Sequence, residues 1–374
     1  MLTVKIADAI VEETSSRINR NVNIMDINGS IIATRDKNRI DTIHQGSLQV
    51  LKTGKPVIIH AAENEVWEGS QPGINLPIVF QEKIIGVIGI TGDPQEMGDI
   101  GELVKMTTEL MINQAFIASQ HEWKQRMKEM ITEQLLKKEP SYSDIERGLE
   151  SLSFTLKPPF TCLLLVHAAD TSAHQTLIQK LEGIFGADKA IVSYIRFNQI
   201  FIATTGFDSA QIKERLEVIS STLKRQDISF QIAYSMPFSS LADFYQAYTD
   251  CKLALKICPP EQEIVSFAAN ETESLIYHVN ETIGNRFASK ILQHLDDTKI
   301  NTLNSLFHYN LNIQHTADAL FVHRNTLIYR LNKITRETGL DPRNFKDALA
   351  LQIALWIHHR TQSEQQHTAA DNKK

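Results

Sequence analysis

The chain has few cysteines and no long apolar run. Its three cysteines, Cys162, Cys251 and Cys258, are too few and too scattered for a disulfide framework, which favours a reducing cytoplasm. We expect buried small side chains there, because the three lack the spacing of metal ligands. No apolar run approaches the ~20 residues of a membrane span, and the first residues lack the pattern of a signal peptide. These absences predict a cytoplasmic chain without a membrane partner.

Signatures of common enzymes are missing as well. The sequence contains no Gly-rich phosphate loop, no nucleophile elbow and no cluster of metal ligands. We therefore expect no catalytic residues, no metal and no cofactor. The 374 residues, 42% hydrophobic and 22% charged, are typical of a folded globular protein with two or three domains.

The first region alternates short apolar runs with turn residues. Asn28-Gly29 separates the runs 22–27 and 31–34, which predicts a hairpin because both turn positions tolerate positive φ. A short helix is predicted over 40–51, and a second hairpin over 74–90. Short antiparallel strands with small helices predict a PAS- or GAF-like sensor, a fold that holds a small molecule between its sheet and its helices.

A single long helix is predicted from Gly101 to Lys138. Apolar residues recur along it at spacings close to three and four, namely Leu103, Met106, Leu110, Ile117, Trp123, Met127, Met130 and Leu135. Such a helix either packs on its own domain or pairs two chains, and the two interpretations can hold for different halves. A homodimer or higher homo-oligomer is the expected assembly.

The rest of the chain divides into two further regions and a tail. Residues 142–268 alternate predicted helices with strands, which indicates an α+β or α/β domain. The strands are predicted at 161–166, 190–195, 199–203 and 228–234. Residues 272–360 are helical in pattern, and the polar tail 361–374 is predicted to be disordered.

The most informative segment spans residues 312–334. Ala317 and Leu320 share one face of a short helix, and a tight turn at Val322 follows. A second helix then aligns apolar residues from Leu327 to Ile334, which completes the apolar skeleton of a helix-turn-helix. We expect its polar side to contact bases or phosphates of duplex DNA through His323, Arg324, Asn325, Thr326, Tyr329, Arg330 and Lys333. The competing interpretation is a helical bundle with a basic, solvated face.

The charge distribution favours DNA. Net charge is −6 over the whole chain, but Lys299 to Arg360 contains eight Lys or Arg and four Asp or Glu, a local +4. The remainder therefore carries −10. Affinity for duplex DNA comes largely from neutralised phosphates, and this segment has the required sign.

Several motifs together resemble a known family. The segments 320–334 and 338–345 resemble the C-terminal helix-turn-helix of PucR-type regulators. The N-terminal segments resemble blocks of the sugar diacid recognition domain, at Arg39-Ile40, His44-Gln-Gly46, Gly73–Pro77, Ile85–Gly92 and Gly101–Thr107. Across essentially the whole chain before the tail, the sequence is similar to the carbohydrate diacid regulators.

The resemblance implies a transcriptional regulator, commonly an activator, that binds operator DNA. It also implies an effector of the glycerate, glucarate or galactarate class. In this family the middle region is a degenerate GGDEF-like domain, and no Gly-Gly-Asp/Glu-Glu-Phe signature occurs here, so cyclase activity is not implied. The alternative is a protein that binds or processes nucleotides through that domain.

The expected domains are a sensor with its long C-terminal helix (1–138), a GGDEF-like α+β domain (142–268) and an all-α helix-turn-helix domain (272–360). The fold class is thus multidomain α/β and α+β with a helical end.

Candidate effector residues follow from the chemistry of a hydroxy acid, which needs cationic or amide donors. Arg39 is the first candidate for a carboxylate, although a surface arginine is the alternative. His44 donates to the ligand or forms a local hydrogen bond. Asn75 places an amide within an apolar strand, where a ligand or a structural bond must satisfy it.

Four further candidates carry weaker signals. Gly73 and Gly89 allow close backbone approach, although glycine is equally expected in turns. Thr107 is expected to face the same pocket from the long helix. Arg35 ranks below Arg39 because it lies outside the matched segments.

Overall fold

The protein is described from a computed structural model, which describes residues 2–60, 67, 71–168 and 174–371. Its chain forms two compact units, Met1–Arg126 and Met127–Lys374. The expected boundaries between sensor, middle and C-terminal domains stay predictions.

The first unit is built on a five-stranded antiparallel sheet. Its strands are β1 (Val22–Met25), β2 (Ile31–Thr34), β3 (Val57–Ile59), β4 (Gly73–Phe80) and β5 (Lys83–Thr91), in the order β2-β1-β5-β4-β3. Its helices are α1 (Val4–Ile18), α2 (Gln45–Thr53) and the first part of α3 (Pro94–Leu135). Both predicted hairpins are confirmed, and Gly29 adopts φ 82° in the first turn.

The two faces of this sheet carry different helices. Ile24, Leu76 and Ile88 belong to a buried cluster with residues of α1 and α3. Met25 and Val87 instead pack with residues of α2. Because side chains alternate along a strand, this arrangement directs Asn23, Asn75 and Gly89 towards the α2 side.

Helix α2 begins later than the sequence predicted. Ile40 and Ile43, both expected in this helix, lie in the turn before it, and Ile43 is exposed. Asp41 has φ 64°, in the left-handed region, so a right-handed helix cannot continue through it. A short 3₁₀ turn, Lys37–Arg39, takes the place of the predicted first turn.

Helix α3 starts at Pro94 instead of the predicted Gly101. Proline is suited to the first position of a helix because its missing N–H needs no partner there. The carboxylate of Asp93 accepts a hydrogen bond from Gln95 N at 3.1 Å and satisfies another free amide of the first turn.

The second unit begins with an α+β region. Its strands are β6 (Phe160–His167), β7 (Ala190–Arg196), β8 (Gln199–Thr205), β9 (Phe230–Tyr234) and β10 (Ile264–Ser266), in the order β10-β9-β6-β8-β7. Its helices are α4 (Tyr142–Ser151), α5 (His174–Phe185), α6 (Ser209–Lys224) and α7 (Phe244–Ile257). The four predicted strands are confirmed, while β10 is a short strand that the sequence did not indicate.

Among the described residues of the second unit, six further α-helices follow, as the helical pattern predicted. They are α8 (Phe267–Ser274), α9 (Glu281–Leu292), α10 (Asp297–His308), α11 (Ile313–Ala319), α12 (Arg324–Thr338) and α13 (Phe345–Asp371). Helix α13 continues to Asp371, so much of the tail expected to be disordered is helical instead; residues 372–374 lie outside the described residues.

The cysteines agree with one further expectation. Cys162, Cys251 and Cys258 are free and buried. Among the described residues, no helix is long and apolar enough to cross a membrane.

Candidate functional site

A narrow cleft on the α2 side of the first sheet brings together five predicted effector residues. They come from the turn before α2, from β4 and from β5, and are Arg39, His44, Gly73, Asn75 and Gly89. Asn23, Gln71, Ile74, Ile90 and Thr91 complete the lining. The enclosed space is about 10 Å³, room for about one water molecule, within about 210 Å³ that includes the part open to solvent. A larger ligand therefore needs the lining residues to move apart.

Strand register builds the floor of this cleft. Gly89 pairs with Asn23 on one side and with Asn75 on the other, so the three residues form a row across β1, β5 and β4. Both asparagines are buried. Because Gly89 has no side chain, the Asn75 amide extends into the space beside it.

Two glycines make room for the Asn75 amide. A Cβ at Gly89 would lie 2.8 Å from Asn75 Oδ1, and a Cβ at Gly46 would lie 3.0 Å from Asn75 Nδ2. Gly73 serves a different purpose, since a Cβ there would meet the Ile90 carbonyl oxygen at 2.0 Å. Glycine at these positions therefore allows close packing of neighbouring protein atoms, and a ligand contact at Gly73 and Gly89 stays a prediction.

The Asn23 amide is oriented by its neighbours. Its Oδ1 accepts hydrogen bonds from Thr34 Oγ1 at 2.6 Å and from Asn21 Nδ2 at 3.2 Å. With the oxygen engaged in this way, the Nδ2 group is the donor that Asn23 offers to a ligand.

His44 is buried at the start of α2 and contributes a neutral imidazole. Burial, and then the positive charge of Arg39, lower its pKa to about 4. Its Nδ1 has no hydrogen-bond partner among the described residues. A neutral ring with an unused nitrogen can donate to, or accept from, a ligand hydroxyl.

Arg39 supplies the positive charge of the cleft. It ends the 3₁₀ turn before α2 and is half-buried. No Asp or Glu is present among the described lining residues. The cleft therefore combines one guanidinium with neutral amide, hydroxyl and imidazole groups, which is chemistry suited to a hydroxylated anion.

Thr107 is placed elsewhere. Its hydroxyl donates to the Leu103 carbonyl at 2.9 Å, and the residue lines a groove between α1 and α3. Arg35 lines the same groove. Neither residue is among those that line the cleft.

Sequence reasoning missed the lining residues Asn23, Gln71, Ile74, Ile90 and Thr91 and the supporting Gly46. Asn23 carried the same signal as Asn75, an amide within an apolar strand. Its meaning depends on the pairing of β1 with β5, which joins segments far apart in sequence.

The predicted helix-turn-helix is formed by α11 and α12. Ala317 is fully buried with Leu327, Leu331 and Ile334 in one core. Phe321 in the turn has φ 55° and is 96% exposed. The turn thus requires a left-handed backbone conformation at this position. Glycine is common there, but this chain has an exposed phenylalanine.

The predicted DNA-contacting residues lie on the outer side of α12 and at its start. Arg330 is half-buried and the other six are exposed. His323 also has a structural task, because its Nδ1 accepts a hydrogen bond from Asn325 N at 3.2 Å and caps the helix.

Several basic residues outside α12 are paired or buried, so most of the unpaired positive charge of this segment lies on α12. Lys299 Nζ lies 2.7 Å from Glu337 Oε2, and Arg343 is paired with Asp341. Arg360 is buried and donates to the Ile276 carbonyl. The local excess of positive charge is therefore carried largely by α12.

Comparisons with known families agree with this architecture. Residues 2–135 match the model for putative sugar diacid recognition, 137–257 the model for a GGDEF-like domain, and 300–357 the PucR C-terminal helix-turn-helix domain. This combination defines a class of DNA-binding regulators with an N-terminal recognition domain.

Full-length relatives identify the family. The chain is 29% identical over 376 residues to the carbohydrate diacid regulator of Escherichia coli, covering 95% of this chain and 98% of the relative. It is 31% identical over 365 residues to an uncharacterized protein of Haemophilus influenzae, covering 94% and 98%. The chain belongs to the carbohydrate diacid regulator family.

One solved structure is similar over part of the chain. It is the regulator of polyketide synthase expression from Bifidobacterium adolescentis, 18% identical, covering 62% of this chain and 91% of that one. The TM-score of 0.30 is too low to support an argument about the fold.

Proposed function

We propose that this protein is an effector-responsive transcriptional regulator whose cleft binds a small hydroxy acid. The observation that carries the proposal is that Arg39 and His44, from the turn before α2, meet Asn75 of β4 in one cleft. The described residues that line this cleft include no Asp or Glu. Helix α12 then binds operator DNA. The regulated genes are those for use of the acid, the expected sign is activation, and the protein acts in the cytoplasm.

The single guanidinium favours a monocarboxylic acid of the glycerate class over glucarate or galactarate. Each carboxylate of a diacid needs a cationic or equivalent donor set, and the cleft offers Arg39 alone among its described lining residues. Asn23, Asn75 and His44 then bind the hydroxyl groups.

Strand β4 provides a route from the cleft to α3. Asn75 faces the cleft. Its neighbours Ile74, which also lines the cleft, and Leu76 belong to the buried cluster with residues of α1 and α3. A Cβ at Gly101 of α3 would lie 3.2 Å from Leu76 Cδ1 and 3.3 Å from Ile74 Cγ2. A shift of β4 on binding therefore reaches α3 directly. The order of the strands in the sheet supports a PAS- or GAF-like sensor.

The effector acts by favouring one of two states of a homodimer on its operator. A ligand shifts such an equilibrium only as far as its affinities for the two states differ. We assign no enzymatic activity to the chain. Turnover of a nucleotide by the full-length protein would favour the alternative, a nucleotide-processing role for the middle domain.

Effector binding is tested by calorimetry and thermal shift of the full chain with glycerate, glycolate, glucarate and galactarate. We expect glycerate to raise Tm, with stabilisation of about 2.7 kcal/mol at a hundredfold excess over Kd. Arg39→Ala should abolish this response. Arg35→Ala is the matched control, because that exposed arginine lies close in sequence but outside the cleft.

The two variants separate the outcomes. Loss of the response in Arg39→Ala, with retention in Arg35→Ala, supports the site. A full response in Arg39→Ala removes Arg39 from it. A response to glucarate or galactarate that exceeds the response to glycerate contradicts the monocarboxylate assignment.

A further inference from the structure

Helix α3 has two opposite apolar faces in the first unit. One face contains Met97, Val104 and Ile112, which are buried in the core of that unit. The other contains Leu103, Met106, Leu110 and Ile117, which are 58, 60, 56 and 47% exposed. At 100° per residue the two sets lie on opposite sides of the helix. We call the second set the exposed seam.

The exposed seam has the spacing of a coiled coil. Leu103, Leu110 and Ile117 are seven residues apart, and Met106 lies three residues after Leu103. They occupy the a and d positions of a heptad, with exposed Asn113 at the next d position. Contiguous exposed apolar side chains of this kind mark an interaction surface.

We propose that the exposed seam pairs with the same seam of a second copy, with the two α3 helices parallel and related by a two-fold axis. The proposed function needs two chains on an operator but does not say where they meet. This interface places the two sensor units side by side through α3.

Flanking charges select the parallel orientation. The g positions beside the seam are Glu102, Glu109 and Phe116, whose ring packs against Phe80 of its own unit, and the e positions are Thr107 and Gln114. In a parallel pair each g residue lies next to an e residue of the other helix, so each glutamate meets a neutral side chain. An antiparallel pair places g beside g, where the glutamates of the two copies repel.

One of these glutamates is also held in place. The Glu109 carboxylate accepts a hydrogen bond from the backbone N–H of Val79 at 2.8 Å. It therefore stays at the edge of the seam and is not available to reach a lysine of another helix.

A groove beside the seam adds contact area. Leu103 lines it together with Ala9, Ile18 and Met111, between α1 and α3. The seam alone spans little more than two heptads, which is short for an isolated coiled coil. A partner helix that covers Leu103 also reaches this groove.

Cysteine cross-linking tests both the face and the direction. The full-length variants Leu103→Cys and Ile117→Cys each place one thiol near an end of the seam. In a parallel pair each residue meets its own copy, so each variant alone should form a disulfide-linked dimer under mild oxidation. The wild type, whose three cysteines are buried, and the off-seam variant Glu102→Cys should stay largely monomeric on a non-reducing gel.

Two results overturn the proposal. Cross-linking only when Leu103→Cys and Ile117→Cys are mixed shows an antiparallel pair, and no cross-linking above wild type shows that the seam is not an interface. The exposed variant Leu110→Glu provides a second measurement: light scattering should show at least a tenfold weaker dimer, whereas an unchanged dimer contradicts the proposal. Effector binding by this variant is measured separately, so failure of the interface is distinguished from failure of the sensor.

Discussion

Asn75 and Gly89 face each other across β4 and β5, and a Cβ on Gly89 would approach Asn75 Oδ1 to 2.8 Å. Because Gly89 lacks a Cβ, the Asn75 amide has room beside it. Asn23 lies on the other side of Gly89 in the same row. The geometry makes Gly89 a requirement of the cleft itself, beyond any requirement of the strand.

The first prediction concerns that methyl group. Gly89→Ala should reduce affinity for the effector at least tenfold, because the Asn75 amide must move. Calorimetry with glycerate measures the change. Gly98→Ala is the control, since nothing lies within 4 Å of a Cβ there and alanine favours a helix. Wild-type affinity in Gly89→Ala would show that the amide does not contact the ligand.

The second prediction concerns pH. The pKa of His44 is about 4 in the folded protein and 6.5 without burial, so the unfolded chain binds the proton more readily. The resulting stability is present above pH 6.5 and is lost as pH falls towards 4. Between pH 7 and pH 5 we expect a loss of about 2 kcal/mol in the unfolding free energy of the first unit.

Urea unfolding at the two pH values measures this loss. His44→Gln removes the titrating ring, so its stability should fall less over the same interval. A wild type and a variant with the same pH dependence would show that His44 does not titrate in this way.

The third prediction separates base contacts from phosphate contacts on α12. With a duplex selected from a random pool by the wild-type protein, Asn325→Ala should reduce discrimination at one base pair by about 1–3 kcal/mol. Lys333→Ala should weaken binding to all sequences alike. It should also reduce by about 1 the steepness with which the logarithm of the binding constant falls with the logarithm of salt concentration. Fluorescence anisotropy at several salt concentrations measures both.

A lysine in the middle region is the control for charge. Lys213→Ala removes an exposed lysine of α6 and should leave DNA affinity unchanged. If Lys213→Ala weakens binding as much as Lys333→Ala, the effect is one of net charge and α12 is not the DNA-binding surface.

The fourth prediction concerns the support of α12. Lys299 on α10 is paired with Glu337 near the end of α12 and with exposed Asp296, and its bond to Glu337 raises the lysine pKa. Lys299→Met should lower Tm and weaken DNA binding, because Glu337 then remains half-buried without its cation. Asp296→Asn should have a much smaller effect. Equal effects of the two variants would contradict this assignment.

The sequence predicted those structural features that depend on residues close together in the chain. Asn28-Gly29 indicates its hairpin because the turn decides the pairing of β1 with β2. The apolar spacing from Ala317 to Ile334 indicates two crossing helices for the same reason. The predicted start of α2 was wrong because Asp41 adopts a left-handed backbone conformation, which cannot be inferred from the spacing of apolar residues.

The cleft needed information that no local pattern contains. Asn23 and Asn75 meet through Gly89 because β1 pairs with β5, and that pairing joins distant segments. Thr107 matched the family motif as well as Arg39 did, yet it lies in a different groove. Residue types indicated the chemistry, whereas the register of the sheet decided which side chains share a site.

The central claim is that acid binding in the cleft changes DNA binding by α12. The most direct measurement is the affinity of the full chain for its selected duplex, with and without saturating glycerate, in wild type and Arg39→Ala. We predict a change of about 5- to 150-fold in wild type and none in Arg39→Ala. Equal affinities of the wild type with and without glycerate, under conditions where calorimetry shows that the acid is bound, would contradict the account.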